Sequence, residues 1–330
     1  MPCLGPIPAT QDLDGLVTLR PYRRQAISHT DGENSYLELA CGGCEACRAR
    51  RARSWAIRSH HEAQTSTRVE NGGDVSNGCM ITLTYAPEHH DKLNRGSLDH
   101  SDFQKFMKRL RKQFGPGIRF LMCGEYGENF GRPHFHACLF GLDFHEDRTT
   151  WTVKNGLTTW RSATLENLWP MGFSTIDALN YATASYTAGY VVKKLKAPEW
   201  ENETGYINSD LEICIKKPPY IAMSKKPGLG TEWFEKYWPD VYPRDRVAIN
   251  GKLYSPPEFY DRLLKERQPV LYDQVVGARR KHLETLGPTS DNELAARTAL
   301  FVAKAKSNNQ RNQAEKWKSS LSGTPRLTPT

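Results

Sequence analysis

The densest chemistry in the sequence lies in "PHFHACLFG", residues 133–141, where His134 and His136 flank a single phenylalanine. On a β-strand successive side chains face opposite ways, so the two imidazoles share one face while Phe135, Ala137 and Leu139 share the other. The run "IRFLMCGEY", residues 118–126, precedes it across the turn-forming "GENFGR" and makes a natural hairpin. That hairpin puts Leu121, Cys123 and Glu125 on one face, so Glu125 can sit beside the imidazoles. Two histidines and a carboxylate form a divalent-metal site with open positions. Glu128, in the turn, is an alternative third ligand. Further on, "SYTAGYVVKKL" reads as helix and places Tyr186 and Tyr190 one turn apart on one face, with Lys193 and Lys194 a turn beyond. A tyrosine, with a pKa of roughly 10, is a weak nucleophile until its phenolate is stabilised; a nearby lysine and a metal-bound phosphate ester supply that help. Alone, each motif has a plainer reading: half-exposed histidines on a sheet face, a solvated carboxylate at a strand end, a packing stripe of tyrosines.

A second cluster is Cys41-x-x-Cys44-x-x-Cys47, in "CGGCEACR". The spacing suits a metal, but three thiolates leave a structural Zn²⁺ one ligand short. The plainer reading is three reduced thiols in a turn. Cys79, Cys123, Cys138 and Cys214 are scattered singly through apolar surroundings and read as small core residues. Eight cysteines in 330 residues do not make a disulfide scaffold.

These residues need a frame. The length allows one large domain with extensions, or two. "CMITLTY" at 79–85 reads as a strand. In "LDHSDFQKFMKRLRKQF", Phe103, Phe106, Met107, Leu110 and Phe114 form the apolar stripe of a helix, capped by Asp99 or Ser101 and stopped by "GPG". Strands at 118–126 and 132–141 follow, then "GFSTIDAL" at 172–179 and the helix 181–195. The order β-α-β-β-β-α predicts an α+β fold: a mostly antiparallel central sheet with helices packed on one face, related to the split β-α-β arrangement, the other face free for chemistry. Around it the sequence divides into a Cys-rich region with a basic helix over 1–63, a core over 78–195, a basic and aromatic region over 196–270, and a helical, partly disordered basic tail over 271–330. Residues 1–40, rich in Pro and Gly, read as irregular.

The net charge of +8, gathered in clusters such as "CRARRARSWAIR", points to an anionic partner. Basic clusters interleaved with aromatics suit single-stranded nucleic acid, whose binders pair phosphate neutralisation with base stacking. No apolar run approaches the ~20 residues of a membrane span, and no secretory signal pattern opens the chain. In "YIAMSKKPGLGTEWFEKYW", Lys225 and Lys226 precede a Pro-Gly-x-Gly turn; the segment is assigned a general DNA-contact role through these two lysines, with close backbone approach to DNA as one reading of the turn. Trp233 and Tyr237 read either as a base-stacking pair or, more simply, as a core stripe.

The strand "ITLTY", the His-hydrophobic-His strand and the helix "YTAGYVVKK" together resemble the three motifs of HUH endonucleases. With "CGGCEACR", "RSWAIR", "CGEYGE", "LWPMGFSTI" and "AMSKKPGLGTEWFEKY", the chain resembles the replication initiators of gokushovirus-type microviruses, small single-stranded-DNA phages. The resemblance implies that His134, His136 and Glu125 bind Mg²⁺ or Mn²⁺, and that Tyr186 and Tyr190 are nucleophiles that nick and rejoin origin DNA through a 5′-phosphotyrosine. It implies a 3′-OH that primes a host DNA polymerase, a host helicase for strand separation, and work in the cytoplasm of the bacterial host cell. Lys194 is the candidate for stabilising the phenolate or the transition-state charge. Lys193 is its alternative and a DNA contact. Relatives of this kind also carry an early cysteine, which makes Cys3 the candidate fourth zinc ligand, ahead of His60 or His61. An iron–sulfur cluster suits four cysteines equally, but nothing in the sequence asks for redox chemistry. Competing readings are a plasmid or mobile-element relaxase or transposase of the same chemistry, and a non-catalytic, zinc-stabilised DNA-binding regulator.

Overall fold

The computed structural model describes residues 3–20, 32–70, 73–92, 96–127, 131–194, 205–207, 213–286, 290, 292–300 and 303. In chain order the elements are strands β1 (Ile7–Gln11), β2 (Val17–Leu19) and β3 (Ser35–Leu39), helix α1 (Glu45–Thr65), strands β4 (Thr67–Glu70), β5 (Gly73–Ser76) and β6 (Gly78–Tyr85), and helices α2 (Pro87–Lys92) and α3 (His100–Phe114). Strands β7 (Arg119–Tyr126), β8 (Pro133–Phe140), β9 (Arg148–Lys154) and β10 (Leu157–Ser162), helix α4 (Ala163–Leu168), strand β11 (Gly172–Ala178) and helix α5 (Tyr181–Lys194) come next. The chain continues through β12 (Gly205–Ile207), β13 (Ile213–Ile215), β14 (Tyr220–Met223), α6 (Thr231–Val241), β15 (Val247–Ile249), β16 (Lys252–Tyr254), α7 (Glu258–Arg267) and α8 (Pro269–Leu286). Residues 292–300 are also helical. Two compact units divide it: Met1–Cys47 with Ala278–Thr330, and Arg48–Gly277.

The larger unit is built on a seven-stranded sheet in the order β14-β7-β8-β6-β11-β10-β9, antiparallel at every pairing. The α+β class is therefore as expected. The helix stripe behaves as its spacing requires: Phe103, Phe106, Met107 and Leu110 are buried, and the Asp99 carboxylate accepts from the Ser101 N–H at 2.9 Å to cap α3. These side chains pack with Ile81, Leu83, Tyr85, Phe135, Leu139 and Trp169 into the core on one face of the sheet.

The opposite face is not bare. At the ends of the strands nearest Arg119 and Phe140 it is covered by Ala63 of α1, Ala184 of α5 and Leu229, which pack on Leu121, Cys138 and Phe140. Small residues on α5 let it approach the strands closely. The Asn180 carboxamide starts this helix by accepting from the N–H groups of Ala182 and Thr183, at 2.8 and 3.0 Å.

Several elements depart from the sequence reading. Residues 7–39, read as irregular, hold a small sheet in the order β2-β1-β3. Pro8 in β1 argues against a central strand, yet its carbonyl accepts from the Arg20 N–H at 2.8 Å, so the missing N–H forfeits only the reciprocal bond at the end of the β1–β2 ladder. The hairpin β9–β10 extends the sheet at one edge, and β14, from the segment after residue 200, closes the other. Within residues 231–275, Phe234, Val241, Tyr242, Tyr260 and Leu264 form a core of their own with Ile57 of α1.

Candidate metal centre and tyrosine helix

Strand register brings the site together. Across β7–β8, Glu125 lies opposite His134 and Cys123 opposite His136; across β8–β6, His134 meets Thr84 and His136 meets Thr82. Directly opposite residues on one face have Cβ atoms about 5 Å apart, so the pairing itself delivers three ligand atoms to one point. Nε2 of His134 is 2.7 Å and Nε2 of His136 3.1 Å from Oε1 of Glu125. The two imidazoles stand edge-to-face with centroids 4.9 Å apart.

Their outer nitrogens are engaged as metal ligands require. The His134 Nδ1–H donates to the Arg132 carbonyl at 3.0 Å. In neutral His134 this leaves Nε2 as a lone pair aimed at a carboxylate oxygen, two acceptors in contact that need a cation or a proton between them. Nδ1 of His136 is 2.9 Å from the Thr82 hydroxyl, which can accept its proton in the same way. Glu125 is 2 % exposed, and its buried Oε2 has no hydrogen-bond partner among the described residues. Burial pushes its carboxyl up, but where the imidazole protons sit on Nε2 instead, as they can without a cation, hydrogen bonds from His134 and His136 outweigh burial and hold the group below its ordinary range. Burial likewise pushes the His136 imidazole down, toward the neutral form a metal needs. An orphaned buried carboxylate oxygen and two convergent imidazole nitrogens fit a divalent cation.

Helix α5 lies beside this point. Thr187, fully buried, packs its hydroxyl 3.6 Å from Sγ of Cys138, the next residue after His136 on that strand face. One position back, the Tyr186 ring stands edge-on to His136, centroids 5.5 Å apart at 82°, and Tyr186 is 45 % exposed. Tyr190 follows one turn along the backbone of α5; the side chains of Tyr190, Lys193 and Lys194 lie outside the described residues, as does Glu128. Cys123 and Cys138 are buried thiols, the second pushed up to about 12 by burial, and serve packing.

The sequence reading passed over Thr82, the Arg132 carbonyl and Lys216. Nζ of Lys216 lies 5.3 Å from the Tyr126 ring, and a Cβ added to Gly131 would come within 3.2 Å of it, which puts this lysine beside the hairpin end that carries the ligands. Its signal was the "KK" before Pro218, but only the pairing of β14 with β7 brings it here.

Lys225 and Lys226 are exposed, yet they follow the end of β14 that pairs with Leu121, about 13 Å along β7 from Glu125. The glycines after them answer to contacts inside the protein. A Cβ on Gly228 would meet Phe259 at 2.6 Å, and one on Gly230, at φ +79°, would meet the Tyr260 hydroxyl at 2.5 Å. The loop is held from inside: Glu62 pairs with Arg119 and accepts from the Gly230 N–H at 2.7 Å, and Arg58, stacked between Trp55 and Phe259, donates to the Leu229 carbonyl at 2.9 Å. Of the aromatic stripe, Phe234 is fully buried, and Trp233, half-buried, stacks on His61 with ring centroids 3.4 Å apart.

Cys3, Cys41, Cys44 and Cys47 come together with their Sγ atoms within 4.8 Å of one another. His60 and His61 are engaged elsewhere, His60 edge-on to Tyr181 and His61 against Trp233 and Tyr260.

Comparison with known proteins points the same way as the resemblance read from the sequence. Residues 78–195, the segment with both histidines, Glu125 and both tyrosines, match the family of replication-associated protein ORF2/G2P. The chain is 28 % identical over 296 residues to the replication-associated protein ORF2 of Spiroplasma virus 4, covering 85 % of this chain and 86 % of that one. It is 27 % identical to replication-associated protein VP4 of Bdellovibrio phage phiMH2K, covering 88 % and 87 %, and 27 % identical to replication-associated protein ORF4 of Chlamydia phage 1, covering 69 % and 54 %. The resemblance to microvirus replication initiators is borne out. No solved structure gives a significant match. Among the described residues no helix is long and apolar enough to cross a membrane.

Proposed function

We propose that this chain initiates rolling-circle DNA replication by nicking and rejoining single-stranded origin DNA through a tyrosine nucleophile. The observation that carries this reading is the convergence of Glu125, His134 and His136 with the Tyr186 ring edge-on to His136 at 5.5 Å. Glu125, His134 and His136 would hold Mg²⁺ or Mn²⁺, which when bound polarises the scissile phosphate as a Lewis acid. Tyr186, 45 % exposed, gives up its phenolic proton to solvent, its oxygen forms a bond to phosphorus, and the bond from phosphorus to the 3′ oxygen breaks. The products are a 5′-phosphotyrosine and, once the leaving oxygen takes a proton, a free 3′-OH.

Thr82 and the Arg132 carbonyl keep the two imidazoles aimed at the point they share with Glu125. Tyr190, one turn further on α5, takes the second cleavage after a round of synthesis, and Lys194, or Lys193 in its place, offsets the negative charge of phenolate or transition state. The ester energy is kept in the covalent link, so rejoining needs no nucleotide. Phe173 stands on the same cross-strand line as Thr84 and His134 and is 56 % exposed, a surface on which a base can stack. Lys225 and Lys226 reach phosphates further along the strand. The 3′-OH primes a host polymerase, a host helicase opens the duplex, and the work takes place in the cytoplasm of the bacterial host cell.

The test is a denaturing-gel adduct assay with labelled single-stranded DNA tiled across the genome that encodes this chain, with Mn²⁺. The expected result is a metal-dependent, SDS-resistant adduct, lost in the Tyr186→Phe/Tyr190→Phe double variant and in His136→Ala. Each single tyrosine variant then shows which residue makes the first cut. An origin that is bound but neither cleaved nor linked under any divalent metal sinks the nickase reading and leaves a DNA-binding protein.

A further inference from the structure

Three separate stretches of the smaller unit end at one point. Cys3 stands four residues before β1, Cys41 two residues after β3, and Cys44 and Cys47 bracket the first turn of α1. Sγ of Cys3 is 3.5 Å from Sγ of Cys41 and 3.7 Å from Sγ of Cys44. A disulfide brings sulfurs to about 2.05 Å, so these are not bonded pairs. Tetrahedral Zn–S bonds of about 2.3 Å set neighbouring sulfurs about 3.8 Å apart, close to the observed spacing. Backbone donors already point at the sulfurs: the Cys41 N–H lies 3.4 Å from Sγ of Cys3, the Leu4 N–H 3.5 Å from Sγ of Cys44, and the Cys44 N–H 3.3 Å from Sγ of Cys41. The start of α1 adds the positive end of a helix dipole, which also favours thiolate.

The surroundings explain why a metal is needed. Among the described residues from 3 to 47, the buried side chains are Ala9, Thr10, Ala46 and Cys47, while Leu13, Leu16 and Leu19 are exposed at 81 %, 67 % and 61 %. A three-stranded sheet with so little apolar burial cannot offset the entropy of ordering its chain, and small units of this kind are stabilised by a metal or by cross-links. We propose that Cys3, Cys41, Cys44 and Cys47 hold a structural Zn²⁺ that makes up for the sparse apolar burial among the described residues of 3–47. The four thiolates close the coordination shell, so the ion has no open position and no part in cleavage.

Elemental analysis of the full chain tests this in a His134→Ala/His136→Ala background, which takes the sheet site out of the count. One zinc per chain is expected to remain there, and to be lost when Cys41→Ser is added. Because that variant can fail to fold, the unaltered chain supplies a second measurement: alkylation of the four cysteines, mapped by mass spectrometry. The thiols are expected to be protected as purified, labelled after a chelator is added, and protected again by Zn²⁺ alone. Absence of zinc in the double-histidine background, labelling indifferent to chelator, or iron with inorganic sulfide would each overturn the proposal.

Discussion

Glu125, His134 and His136 project from two paired strands whose other face is packed with Phe103, Phe135, Leu139 and Trp169. Cys3, Cys41, Cys44 and Cys47 instead come from the ends of a strand, a turn and a helix, with Ala9 and Ala46 among the few apolar side chains buried near them in sequence. In the first region the core positions the candidate ligands, and a metal would add chemistry to a frame that already stands. In the second the frame is thin, and the ligands themselves must hold it. A chelator should therefore separate the two, silencing the sheet site with its strands intact while loosening residues 3–47.

The comparison can be broken from the side of the core. Phe135 is fully buried, with ring centroids 5.6 Å from Phe103 and 5.9 Å from both Tyr85 and Trp169. Phe135→Ala should cost about 3–5 kcal/mol in denaturant unfolding of the larger unit. A loss no larger than that of a surface substitution would mean that the core does not carry the sheet site.

A gentler change sharpens it. Thr82→Val keeps the shape of the side chain and removes the hydroxyl that engages His136. Mn²⁺ affinity at the sheet site, read by calorimetric titration, should fall about 10- to 100-fold, with zinc content at the cysteines unchanged. An unaltered affinity would show that the imidazole is oriented by packing alone.

The smallest effect is one of pH. Burial, with His60 adding to it, holds the His61 imidazole down at about 3, and its Nδ1 meets the Tyr260 hydroxyl at 2.7 Å. The unfolded chain protonates this group near pH 6.5. Between those values the unfolded state holds a proton that the folded state refuses, so stability falls as pH drops, by at most about 1.4 kcal/mol per unit. His61→Gln, which can still hydrogen-bond Tyr260, should flatten that slope in denaturant titrations run from pH 7 to 5. An equal slope in the variant would place the acid sensitivity elsewhere.

Much of the site was legible in one dimension because it is local. Alternation on a strand decides that His134 and His136 share a face, and a short hairpin brings Glu125 to them. Helical spacing decides that Tyr186 and Tyr190 lie one turn apart. The internal role of the glycines in "KKPGLG" was not legible, for the opposite reason. Their need for a bare Cα comes from Phe259 and Tyr260, some thirty residues away, which no local pattern reveals. Strands β1, β2 and β14 were missed because segments of three to five residues carry too little periodicity to stand out from Pro- and Lys-rich surroundings.

Residue type, alternation and turn chemistry alone determined the α+β class, the apolar stripe of α3 and the three candidate ligands, since each depends on neighbours a few residues apart. Tertiary structure alone decided which strands are neighbours. It set Thr82 against His136, carried Lys216 to the hairpin end, laid α5 over Cys138 with Tyr186 beside the imidazoles, and drew Cys3 to cysteines some forty residues away. Those placements depend on strand pairing and core packing between segments far apart in the chain, where the free energy lies in contacts that no short stretch contains.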